Sequence, residues 1–381
     1  MLAERRHRAA VSELAVRHLY IHVPFCARRC SYCDFAITVR AATPVTQFNA
    51  ALELELAMLD TSTWNLDTVY MGGGTPSRLG PAIGDVLGMV RDRAPVAPDA
   101  EVTIEANPDD VTPANASAWF SAGINRVSLG AQTFDSSSLE WMHRTHTSEQ
   151  IGAAVHVLRD AGIANISLDL IFALPETLGR KWNVDLDRAL ALGPDHISLY
   201  GLTVEPHTPL GKWRDRGEAV EAPEERYESE FLIAHERLGD AGFEHYEVSN
   251  FALPGRRARH NSAYWRGVPY AAIGPSAHAF DGSVRSWNVA AYPEWERRLH
   301  TGEPVVAGSE RLSEENRLSE RVYLGLRTTD GLRATDAELE LVRPWVDAGW
   351  ATVTNRTIVL TISGFLRLDA LAASLTLAGS H

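Results

Sequence analysis

Cysteine occurs at three positions in this chain, all within one short run: Cys26-Ala27-Arg28-Arg29-Cys30-Ser31-Tyr32-Cys33, a C-x3-C-x2-C spacing. Every thiolate the protein can form therefore lies on one loop. An apolar strand, Leu19 to Val23, feeds that loop through Pro24 and Phe25. Soft sulfur ligands at this density suit zinc or an iron–sulfur cluster. Zinc would take His22 as its fourth ligand, but His22 lies inside the strand, and structural zinc sites draw their ligands as two separated pairs. A disulfide would leave one cysteine over, and the spacing is too tight for a scaffold of bridges. A four-iron cluster usually takes four thiolates. With three, one iron keeps an open position, which is where a metal centre does chemistry.

The strand before the cysteines is the first of six β-rich runs. The others are Asp67 to Met71, Glu101 to Glu105, Arg126 to Gly130, Ile166 to Ile171 and His196 to Tyr200. Helix-competent segments separate them: Thr46 to Leu59, Pro81 to Arg93, Pro113 to Ala122, Ser138 to Ala161 and Arg180 to Ala191. In the first, Phe48, Leu52, Leu56 and Leu59 form one stripe at helical spacing. Strands alternating with helices predict parallel βα units. Six of them fit an α/β fold, an incomplete (β/α)6 TIM-type barrel. In such barrels chemistry gathers where strands end. Here the strand ends carry the cysteines, Gly72-Gly73-Gly74-Thr75-Pro76, Glu105-Ala106-Asn107-Pro108 and Gly130-Ala131-Gln132-Thr133, and the fifth strand contains Asp169.

C-x3-C-x2-C with Tyr32 just before its last cysteine resembles the radical S-adenosylmethionine (SAM) superfamily. The lead-in Tyr20-Ile21-His22-Val23-Pro24-Phe25-Cys26 is similar to its oxygen-independent coproporphyrinogen III oxidase-like branch, which includes the HemW-type heme chaperones. The resemblance implies that Cys26, Cys30 and Cys33 hold three irons of a [4Fe-4S] cluster and that SAM chelates the fourth. It implies that Gly73, Gly74 and Thr75 belong to a GGTP motif that receives SAM's amino group. Glu105 and Asp169 would hold ribose hydroxyls or nearby groups, Gln132 and Arg144 would line the same cleft, and Tyr20 would lie beside the methionine carboxylate.

Two features separate candidates within that branch. Oxidases carry a further cysteine two residues after the third, where this chain has Phe35. His260-Asn261-Ser262-Ala263-Tyr264-Trp265 matches the HNxxYW signature of the heme chaperones. The resemblance implies a heme-binding segment there. Imidazole is a common axial ligand of heme iron, and Tyr264 and Trp265 can pack on a porphyrin face. Arg256, Arg257, Arg259 and Arg266 can pair with propionates. The leading expectation is a heme chaperone with a [4Fe-4S] cluster, SAM and heme, whose partners are recipient hemoproteins and a heme donor protein. An anaerobic coproporphyrinogen III oxidase is the alternative, and another radical SAM enzyme such as a tRNA modifier is a third.

The chain divides into a polar N-terminal tail (1–17), the barrel (18–205), an accessory region with the HNxxYW segment (206–300) and a C-terminal module (301–381). In the last, helices at Glu314 to Leu326 and Thr335 to Ala348, a hairpin turning at Asn355-Arg356 and a final helix from Ser363 suggest a winged-helix-like unit. That module holds eight arginines and eleven acidic residues, and the whole chain carries a formal charge of −13. Both argue against nucleic acid as a partner, since phosphate binding needs a basic face. A lid or docking role suits the module better. No stretch has the apolar length of a membrane span, although peripheral membrane contact stays open. Three cysteines with no apolar leader point to the cytoplasm.

Overall fold

The computed structural model describes residues 15–378. Its centre is a nine-stranded sheet whose middle is parallel and in sequence order. The core strands are β1 (Val16–Val23), β2 (Trp64–Gly73), β3 (Val96–Ala106), β4 (Arg126–Gln132), β5 (Asn165–Phe172) and β6 (His196–Gly201). Each pairs in parallel with the next. Leu19, Ile21, Val69, Met71, Ile104, Val127, Leu129, Leu168 and Ile197 are all buried and are cross-strand neighbours on one face of the sheet, while the alternating positions Thr68, Thr103, Ser128, Ser167 and His196 give the other face a buried polar lining. This is the α/β radical SAM type of fold, an incomplete (β/α)6 barrel.

Helices cover the outer face: α1 (Val45–Met58), α2 (Ile83–Arg93), α3 (Pro113–Ser121), α4 (Ser136–Trp141), α5 (Ser148–Asp160) and α6 (Trp182–Ala191). The stripe on α1 buries Phe48, Leu52 and Leu56. Phe48 meets Phe25 edge to face, with ring centroids 5.2 Å apart. Burying a ring like Phe25 contributes about 2 kcal/mol, and it anchors the residue just before Cys26.

The single helix expected over Ser138 to Ala161 is two. His143 takes a left-handed φ of 60° after α4. Thr147 and Gln150 then form a capping box that starts α5. Local capping chemistry overrides the apolar period, and Arg144 is left in the connection, free to reach inward. Likewise the expected Thr335–Ala348 helix divides at Val342 into α12 (Asp336–Leu341) and α13 (Arg343–Asp347), because Pro344 cannot sit inside a continuous helix.

Beyond residue 205 come α7 (Pro209–Asp215), α8 (Glu224–Asp240), β7 (Glu244–Glu247), β8 (Asn250–Ala252), α9 (Arg259–Trp265) and β9 (Ala271–Ile273). These strands extend the central sheet to the order β9-β1-β2-β3-β4-β5-β6-β8-β7. The HNxxYW segment is therefore helical, with one face of it packed on the sheet. A second sheet follows, built from β10 (His278–Phe280), β11 (Val284–Asn288) and β12 (Val306–Arg311), with α10 (Tyr292–Thr301) between its last two strands.

The C-terminal part consists of α11 (Glu314–Leu326), β13 (Leu332–Arg333), α12, α13, β14 (Ala351–Thr354), β15 (Thr357–Leu360), α14 (Ile362–Phe365) and α15 (Leu368–Ala378). Asn355 and Arg356 turn the β14–β15 hairpin with φ of 50° and 64°, the left-handed pair that a two-residue turn demands. Of the expected N-terminal tail, residues 1–14 lie outside the described residues, while Val16 and Arg17 belong to β1. Arg17 pairs with Asp67 through two 2.7 Å hydrogen bonds, which extends the pairing of β1 with β2.

Candidate functional site

The cysteine loop is held at both ends and in its middle. Phe25–Cys26 pairs in parallel with Thr38–Val39. Ser31 donates its amide to Met142 at the end of α4 (3.1 Å) and accepts one from Leu210 at the start of α7 (2.8 Å). All three cysteines are free thiols, and all three line one cleft of about 420 Å³ at the C-terminal ends of the strands. Among the described residues no set of His, Cys, Asp and Glu side chains converges on a single metal ion. His22 turns away from the sulfurs, with its ring nitrogens near the Tyr20 hydroxyl (3.1 Å) and the Ala36 carbonyl (3.1 Å). A cubane puts each cysteine on a different iron, so thiols spread along one cleft wall fit a cluster better than a zinc ion. Burial raises the Cys26 thiol and pushes Cys33 up to about 11. Thiolate ligation by a metal would reverse this by releasing protons.

The same cleft collects most of the other expected residues: Tyr32, Gly73, Gly74, Thr75, Glu105, Gln132, Arg144 and Asp169. Gly73 has a φ of 111°, and a Cβ there would lie 2.5 Å from the His22 ring. At Gly74 a Cβ would meet the Pro24 backbone at 2.7 Å. Glycine at both positions lets β2 end flush against the cysteine strand, leaving backbone amides as the cleft wall. Gln132 is a non-glycine residue held at a φ of 66°, where the register between β4 and β5 shifts. Such strain persists only where surrounding structure fixes it.

Three charged groups shape the cleft. Arg144 donates to the Cys30 sulfur (3.3 Å), the Asn107 side chain (2.6 Å) and the Gly130 carbonyl (2.9 Å). Glu105 accepts from the Tyr70 hydroxyl (2.7 Å) and the Gly73 amide (3.1 Å). Burial is the main cause that pushes its carboxyl up to about 7, against those hydrogen bonds. Asp169 accepts from Ser128 at 2.9 Å, and burial raises it too. Ser128 and Tyr70 thus orient the two carboxyls. Sequence reasoning missed both, because a serine and a tyrosine inside strands carry no motif.

Tyr20 faces a second, larger cavity of about 900 Å³, which adjoins the first: Phe35, Gly73 and Glu105 line both. Its walls include Tyr264 and Trp265 of α9, His278 and Phe280 of β10, and Arg285 of β11. Helices α11 and α15 close the far side through Tyr323, Leu324 and Ala372.

His260 does not reach this cavity. It is 1% exposed, and its ring nitrogens lie 2.7 Å from Thr68 Oγ1 and 2.7 Å from the Tyr264 hydroxyl. With both nitrogens hydrogen-bonded, the imidazole has no lone pair to offer a metal in the cavity; it braces Tyr264 instead. The expected arginine set also lies elsewhere. Arg256 faces Asp195, Arg257 bridges Glu244 and Asp330, and Arg259 caps Asp99, while the arginine on the cavity wall is Arg285. Arg266, too, is absent from the wall.

The radical SAM superfamily model matches residues 20–183. Heme chaperone HemW from Synechocystis sp. is 39% identical over 308 residues, spanning 77% of this chain and 74% of that protein. Heme chaperone HemW from Mycobacterium tuberculosis is 39% identical over 303 residues, spanning 77% of each. The Escherichia coli heme chaperone HemW is 36% identical over 264 residues, spanning 68% of this chain and 69% of that protein. Among solved structures, the radical SAM coproporphyrinogen III oxidase HemN from Escherichia coli superposes with a TM-score of 0.80, covering 96% of this chain and 91% of its own. Its sequence identity is 21%, so that likeness speaks for the fold. By sequence kinship, cysteine spacing and fold together, the chain belongs to the heme chaperone HemW family within the radical SAM superfamily.

Proposed function

We propose that this protein is a heme chaperone. It binds heme in the larger cavity and passes it to recipient hemoproteins, taking it up from a heme donor protein. The observation that carries the reading is that cavity: about 900 Å³, walled by Tyr264, Trp265, Tyr270 and Phe280, and sharing Phe35 and Gly73 with the cysteine cleft. Flat aromatic and apolar walls suit a porphyrin, and aromatic rings pack on it at little entropic cost.

Cys26, Cys30 and Cys33 hold the [4Fe-4S] cluster, and Gly73, Gly74 and Thr75 present backbone to SAM. When loaded, the cluster supplies an iron with an open coordination position for SAM to chelate. Arg144 holds positive charge against the Cys30 sulfur, and Glu105 fixes the Gly73 amide. Asp169 and Gln132 supply the remaining polar wall for the nucleoside. An acidic chain with reduced cysteines suits the cytoplasm and leaves nucleic acid without a footprint. No helix of the described residues is long and apolar enough to cross a membrane.

The test is anaerobic. Reconstituted protein is titrated with hemin and, separately, incubated with coproporphyrinogen III and SAM. The expected result is a saturable Soret band at about one heme per chain and no decarboxylated product. Robust decarboxylation would move the assignment to the oxidase, and absence of stoichiometric heme would refute the chaperone.

A further inference from the structure

A heme carried in this cavity needs an axial ligand whose lone pair is free. Imidazole is the common choice, and at its ordinary pKa it is largely neutral near pH 7. Three histidines lie in or beside the cavity: His22, His260 and His278. The first two are spent. His22 is engaged at both ring nitrogens by Tyr20 and Ala36, and His260 at both by Thr68 and Tyr264.

His278 differs from them in its exposure and in its free ring nitrogens. It is exposed, it lines the cavity, and neither ring nitrogen has a hydrogen-bond partner among the described residues. Its ring stacks on Trp287, the residue opposite it on β11, with centroids 5.9 Å apart and planes 24° apart. That contact orients the imidazole without using its nitrogens. Phe280 lies two residues along the same strand, hence on the same face, and pairs across with Arg285. The Arg285 guanidinium sits 5.7 Å over the Phe280 ring and reaches Glu320 on α11 at 3.0 Å. A porphyrin propionate could take the place of Glu320 with no change in charge type, since guanidinium binds any carboxylate in the same geometry.

The sheet that presents these groups is itself anchored. Glu55 on α1 accepts from the Gly274 amide (2.8 Å), the Asn288 side chain (2.6 Å) and the Trp295 indole (3.0 Å). Those three residues bracket the β10–β11 hairpin, so its position relative to the barrel is fixed.

We propose that His278 is the axial ligand of the carried heme iron and that Arg285 pairs with a propionate. The ligand assignment rests on the heme-carrying function proposed above. Because His278 is exposed at the wall of an open cavity, a recipient can replace it without unfolding the chaperone. A ligand buried as His260 is would require α9 to detach.

The experiment titrates the reconstituted full chain and its variants with ferric heme and follows the Soret band, with cluster iron content reporting that each variant is folded. His278→Ala is expected to shift the band and weaken retention at least tenfold, and added imidazole should restore the wild-type spectrum. His260→Ala should keep the wild-type band position. Arg285→Gln should weaken hemin but not hemin dimethyl ester, which lacks the carboxylates. A wild-type spectrum and affinity in His278→Ala, or a band shift in folded His260→Ala, would overturn the ligand assignment and leave the chaperone function standing. Equal loss of hemin and its ester in Arg285→Gln would remove the propionate contact. Failure of the wild-type protein to take up heme would remove the function and this inference together.

Discussion

The Gly73 amide donates to Oε2 of Glu105 at 3.1 Å, and both residues face the cysteine cleft on one side and the aromatic cavity on the other. Oε1 of Glu105 takes the Tyr70 hydroxyl, the Tyr70 ring stacks on His260 at 5.1 Å, and His260 holds the Tyr264 hydroxyl. Contacts therefore run without a break from the cysteine cleft, proposed to hold SAM, to the wall of the cavity proposed to hold heme. Two sites that share a partition cannot be perturbed independently at Gly73 or Glu105, whereas Cys33 and His278 belong to one site each.

Anaerobically reconstituted protein should hold about four iron and four sulfide per chain. Cys26→Ala, Cys30→Ala or Cys33→Ala should each lose most of the cluster's visible absorbance. Stoichiometric zinc with no iron retained would contradict the cluster.

Gly73→Val should weaken SAM by at least about tenfold, or 1.4 kcal/mol, measured by calorimetry on cluster-loaded protein. The φ of 111° is hostile to a β-branched residue, and its Cβ would lie 2.5 Å from the His22 ring. Undiminished SAM affinity would show that the ligand lies elsewhere.

His260→Ala should destabilise the protein by about 2 kcal/mol, because the Tyr264 hydroxyl loses its partner and the buried Thr68 hydroxyl keeps only His18. Denaturant unfolding under anaerobic conditions measures this. An unchanged midpoint would mean that His260 braces nothing.

Burial pushes Glu55 up to about 7 from an ordinary 4.5, against its hydrogen bonds to Gly274, Asn288 and Trp295. The folded state therefore keeps this proton where the unfolded chain has released it. Since the unfolded state binds fewer protons in that window, stability from this group falls as pH rises from about 4.5 to about 7. Comparing unfolding midpoints at the two ends of that window, wild type should lose more than Glu55→Gln. Equal losses would show that Glu55 does not titrate there.

How much of this could be read in advance follows from how local each signal is. The six core strands and the cysteine loop were legible because apolar period, glycine and cysteine spacing are properties of short segments. Gly73, Glu105, Gln132 and Asp169 could be placed because each ends or lies in a strand that a barrel brings to one rim. The break at His143 was not legible from the apolar period, yet it is what sends Arg144 to Cys30. The burial of His260 was not legible for a different reason: it depends on α9 packing across β2, a contact 192 residues away in sequence. His278 could be named from the sequence only as a histidine of the accessory region, without its surroundings. Its place on a cavity wall exists only once β10, α9, α11 and α15 are assembled.

The most direct measurement is transfer. Wild-type protein loaded with one heme is mixed anaerobically with the apo form of a hemoprotein, and the two are separated and their Soret bands read. Heme moving to the acceptor, with SAM and the cluster present and no coproporphyrinogen decarboxylated by the same preparation, is the result expected of a heme chaperone. Heme that stays on the protein while coproporphyrinogen III is converted to protoporphyrinogen would contradict it.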